Sequence, residues 1–94
     1  MKLSILITLL NEELVLAQTH KAISEQLDSM ILSEQLSDYE ILYVDDGSSD
    51  STLELIDAIA NEHPRVKYIS FSRNFGRESG ILAGFKYATG DAVM

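Results

Sequence analysis

The sequence predicts an α/β fold, a parallel sheet whose strands alternate with helices, and three observations carry that prediction. Short apolar runs of strand length recur at "LSILITLL", "EILYV" and "VKYIS". Between them lie longer stretches whose apolar residues return at helical spacing. Each apolar run is followed by a polar cluster, "NEE", "DDGSSDS" or "SRNFGRES", and a parallel sheet would gather all of these along one edge.

Residues 3 to 10 are almost continuously apolar, as expected of a strand covered on both faces. Asn11 is a candidate cap for the following helix, and Glu12 and Glu13 would suit its positive end. That helix is expected to run to about Leu32, with Leu14, Ala17, Ile23, Leu27, Met30 and Ile31 inward and a break near Asp28–Ser29. Residues 40 to 44 form the second strand. Asp50 or Ser51 caps a second helix with Leu53, Leu55, Ile56, Ile59 and Ala60 along one side, and Pro64 stops it. Residues 66 to 70 give the third strand. A third helix is expected to bury Ile81, Leu82, Phe85 and Ala88 and to end at Gly90, before "DAVM" opens a fourth strand. Right-handed crossovers between parallel strands then place ligands outside the carboxyl ends of the strands.

Ninety-four residues make one small domain or part of a larger one, and an apolar content of 46% argues against disorder. Fifteen acids against seven bases give a net charge of −8. That balance disfavours nucleic-acid binding, which rests largely on clustered Lys and Arg. The absence of cysteine excludes disulfides and thiolate metal sites. The apolar N-terminus runs into Asn11, Glu12 and Glu13 without a small-residue cleavage site, so it reads as a buried strand and not a signal peptide. No run approaches the ~20 apolar residues that span a bilayer. The domain is therefore expected to be soluble. The sequence stops inside an apolar strand, which reads as the first part of a longer protein or a deliberate truncation.

Asp45 and Asp46 are the sharpest candidates. Carboxylates at a strand's end can grip a ribose, a base or a cation, and equally can shape a turn beside Gly47. Glu12 could bind a ligand hydroxyl or amide, whereas Glu13 reads as a partner of the first helix's dipole. Arg73 and Asn74, with Arg77 nearby, bring positive charge to the ligand edge of an acidic chain. His20 and His63 lack partners at ligand spacing and read as structural. The chain carries no G-x-S-x-G, G-x-G-x-x-G or G-x-x-x-x-G-K-[ST] pattern, so a ligand has to be held by side chains and not by a glycine-rich phosphate loop.

Taken in order, "SILITLLNEE", "YEILYVDDGSSDST" and "ISFSRNFGRESGILAGFKYATGDAVM" resemble the inverting glycosyltransferases of family 2 over essentially the whole chain. The "SRNFG-x-E" segment is most similar to members that move sugars onto polyprenyl or dolichyl phosphates. The resemblance implies a GT-A fold, with a Rossmann-like sheet that binds a UDP- or GDP-sugar together with Mg2+ or Mn2+. It sets Thr8, Leu10 and Glu12 against the base, gives Asp45 or Asp46 the base or ribose, and puts Arg73 and Asn74 at the pocket rim. Gly90 and Asp91 match the family's "GD". Thr8 and Leu10 stand where the family commonly has a proline and an aromatic, which implies weaker or different stacking on the base. The family's metal-binding D-x-D falls beyond Met94, and so do its catalytic residues.

Residues 1–94 are therefore expected to be the N-terminal nucleotide-sugar-binding part of a glycosyltransferase domain, inactive alone. The full-length protein is expected in the cytoplasm or at the cytoplasmic face of a membrane, with a lipid phosphate as acceptor. A second reading is a non-catalytic module that dimerises through its unfinished sheet edge. A phosphoacceptor receiver domain would need its paired acids after strand one, and here they follow strand two.

Overall fold

The computed structural model describes residues 1–90 together with the backbone of Ala92 and Val93. The elements run β1 (Lys2–Leu9), α1 (Leu16–Leu32), β2 (Asp38–Asp45), α2 (Thr52–Glu62), β3 (Val66–Ser70), α3 (Arg77–Tyr87) and β4 (Ala92–Val93). All strand pairs are parallel, in the order β3-β2-β1-β4. The chain steps outward from β1 to β3 and then returns across the sheet to pair β4 with Leu3 and Ser4 of β1. With right-handed crossovers that reversal puts α1 and α2 on one face and α3 on the other.

Strand parity decides what each face receives, because successive side chains point to opposite sides. Tyr39, Ile41 and Tyr43 of β2 join Leu3 and Leu9 of β1 in the main core, packed with Leu16, Leu27 and Ile56. The alternate residues Leu42 and Val44 are just as buried on the face that α3 covers.

The sequence expectations need four corrections. Helix α1 begins at Leu16 and not beside Asn11, and Leu14 is 91% exposed. Asn11 instead takes a left-handed φ of 54° and spends its side chain elsewhere. Helix α1 also runs unbroken through Asp28 and Ser29, since Asp28 accepts a 2.7 Å hydrogen bond from the Tyr39 hydroxyl and faces β2. The expected apolar face of α3 is not its packed face: Leu82 and Phe85 are 70% and 57% exposed, and Gly80 and Gly84 are buried. Finally, Glu13 does not serve the dipole of α1; its carboxylate accepts the N–H of Ser51, at the start of α2. The expectation for Asp91 lies outside the described residues.

Candidate functional site

Strands β1, β2 and β3 end level with one another. The Asp46 N–H donates to the Leu9 carbonyl and the Phe71 N–H to the Asp45 carbonyl, both at 2.9 Å, so the segments leaving β1, β2 and β3 are tied at their bases. Gly47 then turns the chain with φ 78°, and a Cβ there would overlap the backbone of Arg73 and Asn74. A glycine at this position lets the β2–α2 turn lie directly against the β3–α3 loop.

The first two loops are stitched reciprocally. Asn11 donates its N–H to Ser48 Oγ at 3.0 Å, and its side-chain oxygen accepts the Ser49 N–H at 2.8 Å. Glu12 N–H donates to Thr52 Oγ1 at 2.9 Å, and Glu13 N–H to Asp50 at 3.3 Å. Asp50 also accepts the Thr52 N–H at 2.9 Å, from the position before Ser51, which is the N-cap of α2. These bonds occupy the backbone of residues 11 to 13 and leave the Glu12 carboxylate without a partner in the stitching.

A cleft of about 360 Å³ opens between these loops and the start of α3. One wall is Thr8, Leu9, Leu10 and Glu12; the other is Asp46, Asn74, Gly76 and Arg77. Thr8, Leu10, Glu12, Asp46 and Asn74, all candidates from the sequence, thus come together. Asp45 and Arg73 do not line the cleft. Asp45 is 1% exposed, and its carboxylate is taken by the N–H and hydroxyl of Ser48. The Arg73 guanidinium lies over the Phe75 ring, 4.8 Å from its centroid. Asp46 accepts the Phe75 N–H at 2.9 Å and so holds the third loop while facing the cleft.

Arg77 is the cation that lines the cleft, set by its place in the first turn of α3. Its sequence signal was Gly76 followed by a charged residue at a helix start, which reads equally as ordinary first-turn chemistry. Among the described residues, no group of three His, Cys, Asp or Glu side chains could hold a metal ion. Glu12 and Asp46 are the carboxylates of the cleft, and a divalent cation would need further oxygens beside them, from phosphate or water, to fill its coordination. The cleft can accept hydrogen bonds at two carboxylates and offer one guanidinium to an anion.

Comparison with protein families matches residues 4–94 to glycosyl transferase family 2. The chain belongs to this family. Among curated relatives of the family, it is 41% identical over 91 residues to the Bacillus subtilis protein named uncharacterized glycosyltransferase YkcC, covering 97% of this chain and 27% of that protein. It is 38% identical to the prophage bactoprenol glucosyl transferase homolog of Escherichia coli, covering 100% of this chain and 29% of the relative. The chain therefore spans between a quarter and a third of the length of these relatives. Among solved structures, a mannosyltransferase from Pyrobaculum calidifontis in complex with GDP-Man and Mn2+ superposes with a TM-score of 0.78 at 21% identity, over 97% of this chain and 25% of that one. That likeness establishes the fold, which is GT-A.

Proposed function

We propose that this chain is the donor-binding part of an inverting glycosyltransferase that moves a sugar from a UDP- or GDP-sugar to an acceptor, a polyprenyl phosphate in the full-length protein. The observation that carries the proposal is the cleft at the carboxyl ends of β1, β2 and β3, which brings Glu12, Asp46, Asn74 and Arg77 together. Nucleoside chemistry matches that set. Ribose hydroxyls and base N–H groups donate to carboxylates, and the diphosphate meets a guanidinium. Its place outside the strand ends is where open α/β sheets hold nucleotides. The acceptor class is supported by relatives whose names include bactoprenol glucosyl transferase and undecaprenyl-phosphate 4-deoxy-4-formamido-L-arabinose transferase.

In this reading Glu12 and Asp46 orient the nucleoside and Arg77 neutralises phosphate charge, so the chain contributes binding and orientation. A divalent cation, Mg2+ or Mn2+, would add charge neutralisation at the departing diphosphate once ligands from outside these residues complete its site. The test is an amide NMR titration of the 94-residue chain with UDP and with GDP, each with and without magnesium. Saturable shifts confined to Glu12, Asp46, Asn74, Arg77 and their neighbours are expected. A well-dispersed spectrum unmoved by either nucleotide at millimolar concentration overturns the proposal for this chain.

A further inference from the structure

Glu40 is 2% exposed in the middle of β2, on the face that α3 covers. Burying a carboxylate costs free energy unless its oxygens are filled with donors, and the neighbouring positions on that face hold Leu42 and Val44 without difficulty. The donors that fill Glu40 come from far along the chain. One oxygen accepts the Ser4 hydroxyl at 2.5 Å, the Thr89 N–H at 2.6 Å and the Thr89 hydroxyl at 3.1 Å. The other stands 3.2 Å from the Lys67 ammonium. Both hydroxyls are themselves acceptors: Ser4 takes the Gly90 N–H at 2.8 Å and Thr89 takes Lys2 at 2.9 Å.

We propose that Glu40 is a positioning residue that clasps the α3–β4 corner to β1 and β2, and so fixes where β4 enters the sheet. Every donor in the cluster sits on β1, on β3 or at that corner, and Gly90 lies two residues before β4. β4 pairs with β1 through Leu3 with Ala92 and Ser4 with Val93. A slip of one residue in that pairing would send each side chain to the wrong face, and the clasp opposes it. Resting on the proposed function, the consequence is that Glu40 sets the register of β4 beside β1, the strand whose carboxyl end helps to form the cleft.

The test is residue-resolved hydrogen exchange on the nucleotide-free chain, comparing Glu40→Gln with the parent. Gln keeps the shape but replaces the anion and presents an amide NH2 to a cluster of donors. Exchange at Thr89, Gly90 and β4 is expected to quicken about tenfold or more, with Ile41–Val44 and β3 unchanged. Equal acceleration through every strand would mean that Glu40 only supports the core, and unchanged exchange at Thr89 and Gly90 would mean that it clasps nothing; either overturns the proposal. If Glu40→Gln fails to fold, Ser4→Ala decides by the same pattern, since it keeps the charge and removes the Ser4 relay. No nucleotide enters the measurement, so a failed titration and a failed clasp are separately visible.

Discussion

Asp45 and Asp46 are neighbours in the chain with separate surroundings, because a strand sends adjacent side chains to opposite faces. Asp45 closes the turn through Ser48 on one side, and Asp46 meets the cleft and the Phe75 N–H on the other. That parity keeps the two carboxylates apart. Substitution separates the two roles. Asp45→Asn retains an oxygen for Ser48 and is expected to leave nucleotide affinity within about twofold. Asp46→Ala is expected to weaken it about tenfold or more, having lost both a ligand acceptor and the hold on Phe75. The NMR titration reads both. The candidate acids were legible as residue types at a strand's end. The reach of Glu13 and Asn11 to residues 37 or 38 positions away was not, since nothing local encodes a contact at that distance.

Helix α3 shows how element packing can invert a pattern. Its apolar residues predicted one face, and its glycines occupy the sheet because the helix lies so close to β1 and β2. At Gly84 a Cβ would run into the Leu6 side chain, so the residue is there for close approach. Gly84→Val is expected to destabilise the chain by about 1–3 kcal/mol through overpacking, despite any gain in helix propensity. Leu82→Ala, on the open side, is expected to stay within about 0.5 kcal/mol. Urea denaturation of the two variants checks the pair, and the opposite order would mean that α3 sits with its apolar face inward. Periodicity found the helix but could not orient it, because glycine carries no hydropathy signal for contact.

At the scale of the whole molecule, an acidic chain is stitched by polar groups that respond to acid. His20 bonds through Nδ1 to the Tyr43 hydroxyl at 2.8 Å and faces the His63 ring. Burial, followed by the proximity of His63, lowers its pKa from 6.5. The unfolded chain therefore binds that proton first, and stability is lost as pH falls below about 6.5. Glu40 acts lower on the scale. Burial raises its pKa, but hydrogen bonds from Ser4 and Thr89, with the Lys67 ammonium beside the other oxygen, outweigh this and pull it down to about 2. Its contribution is complete above 4.5 and is lost as pH falls from there toward about 2. Urea midpoints measured from pH 8 downward are expected to decline in two stages, and His20→Asn is expected to remove the first stage alone. A decline unchanged by His20→Asn would assign it to other groups.

The sequence by itself determined the order of strands and helices, the parallel sheet, and the edge on which the polar segments gather. Those follow from hydropathy period and from chain connectivity, both of which are local or topological. It also marked most of the residues that line the cleft. Tertiary structure alone decided that Asp46 and not Asp45 faces the cleft, that Arg77 and not Arg73 supplies its cation, and that Glu40 gathers Ser4 and Thr89. Each of those choices depends on which face of an element meets which neighbour, and that is settled by packing between residues remote in the chain.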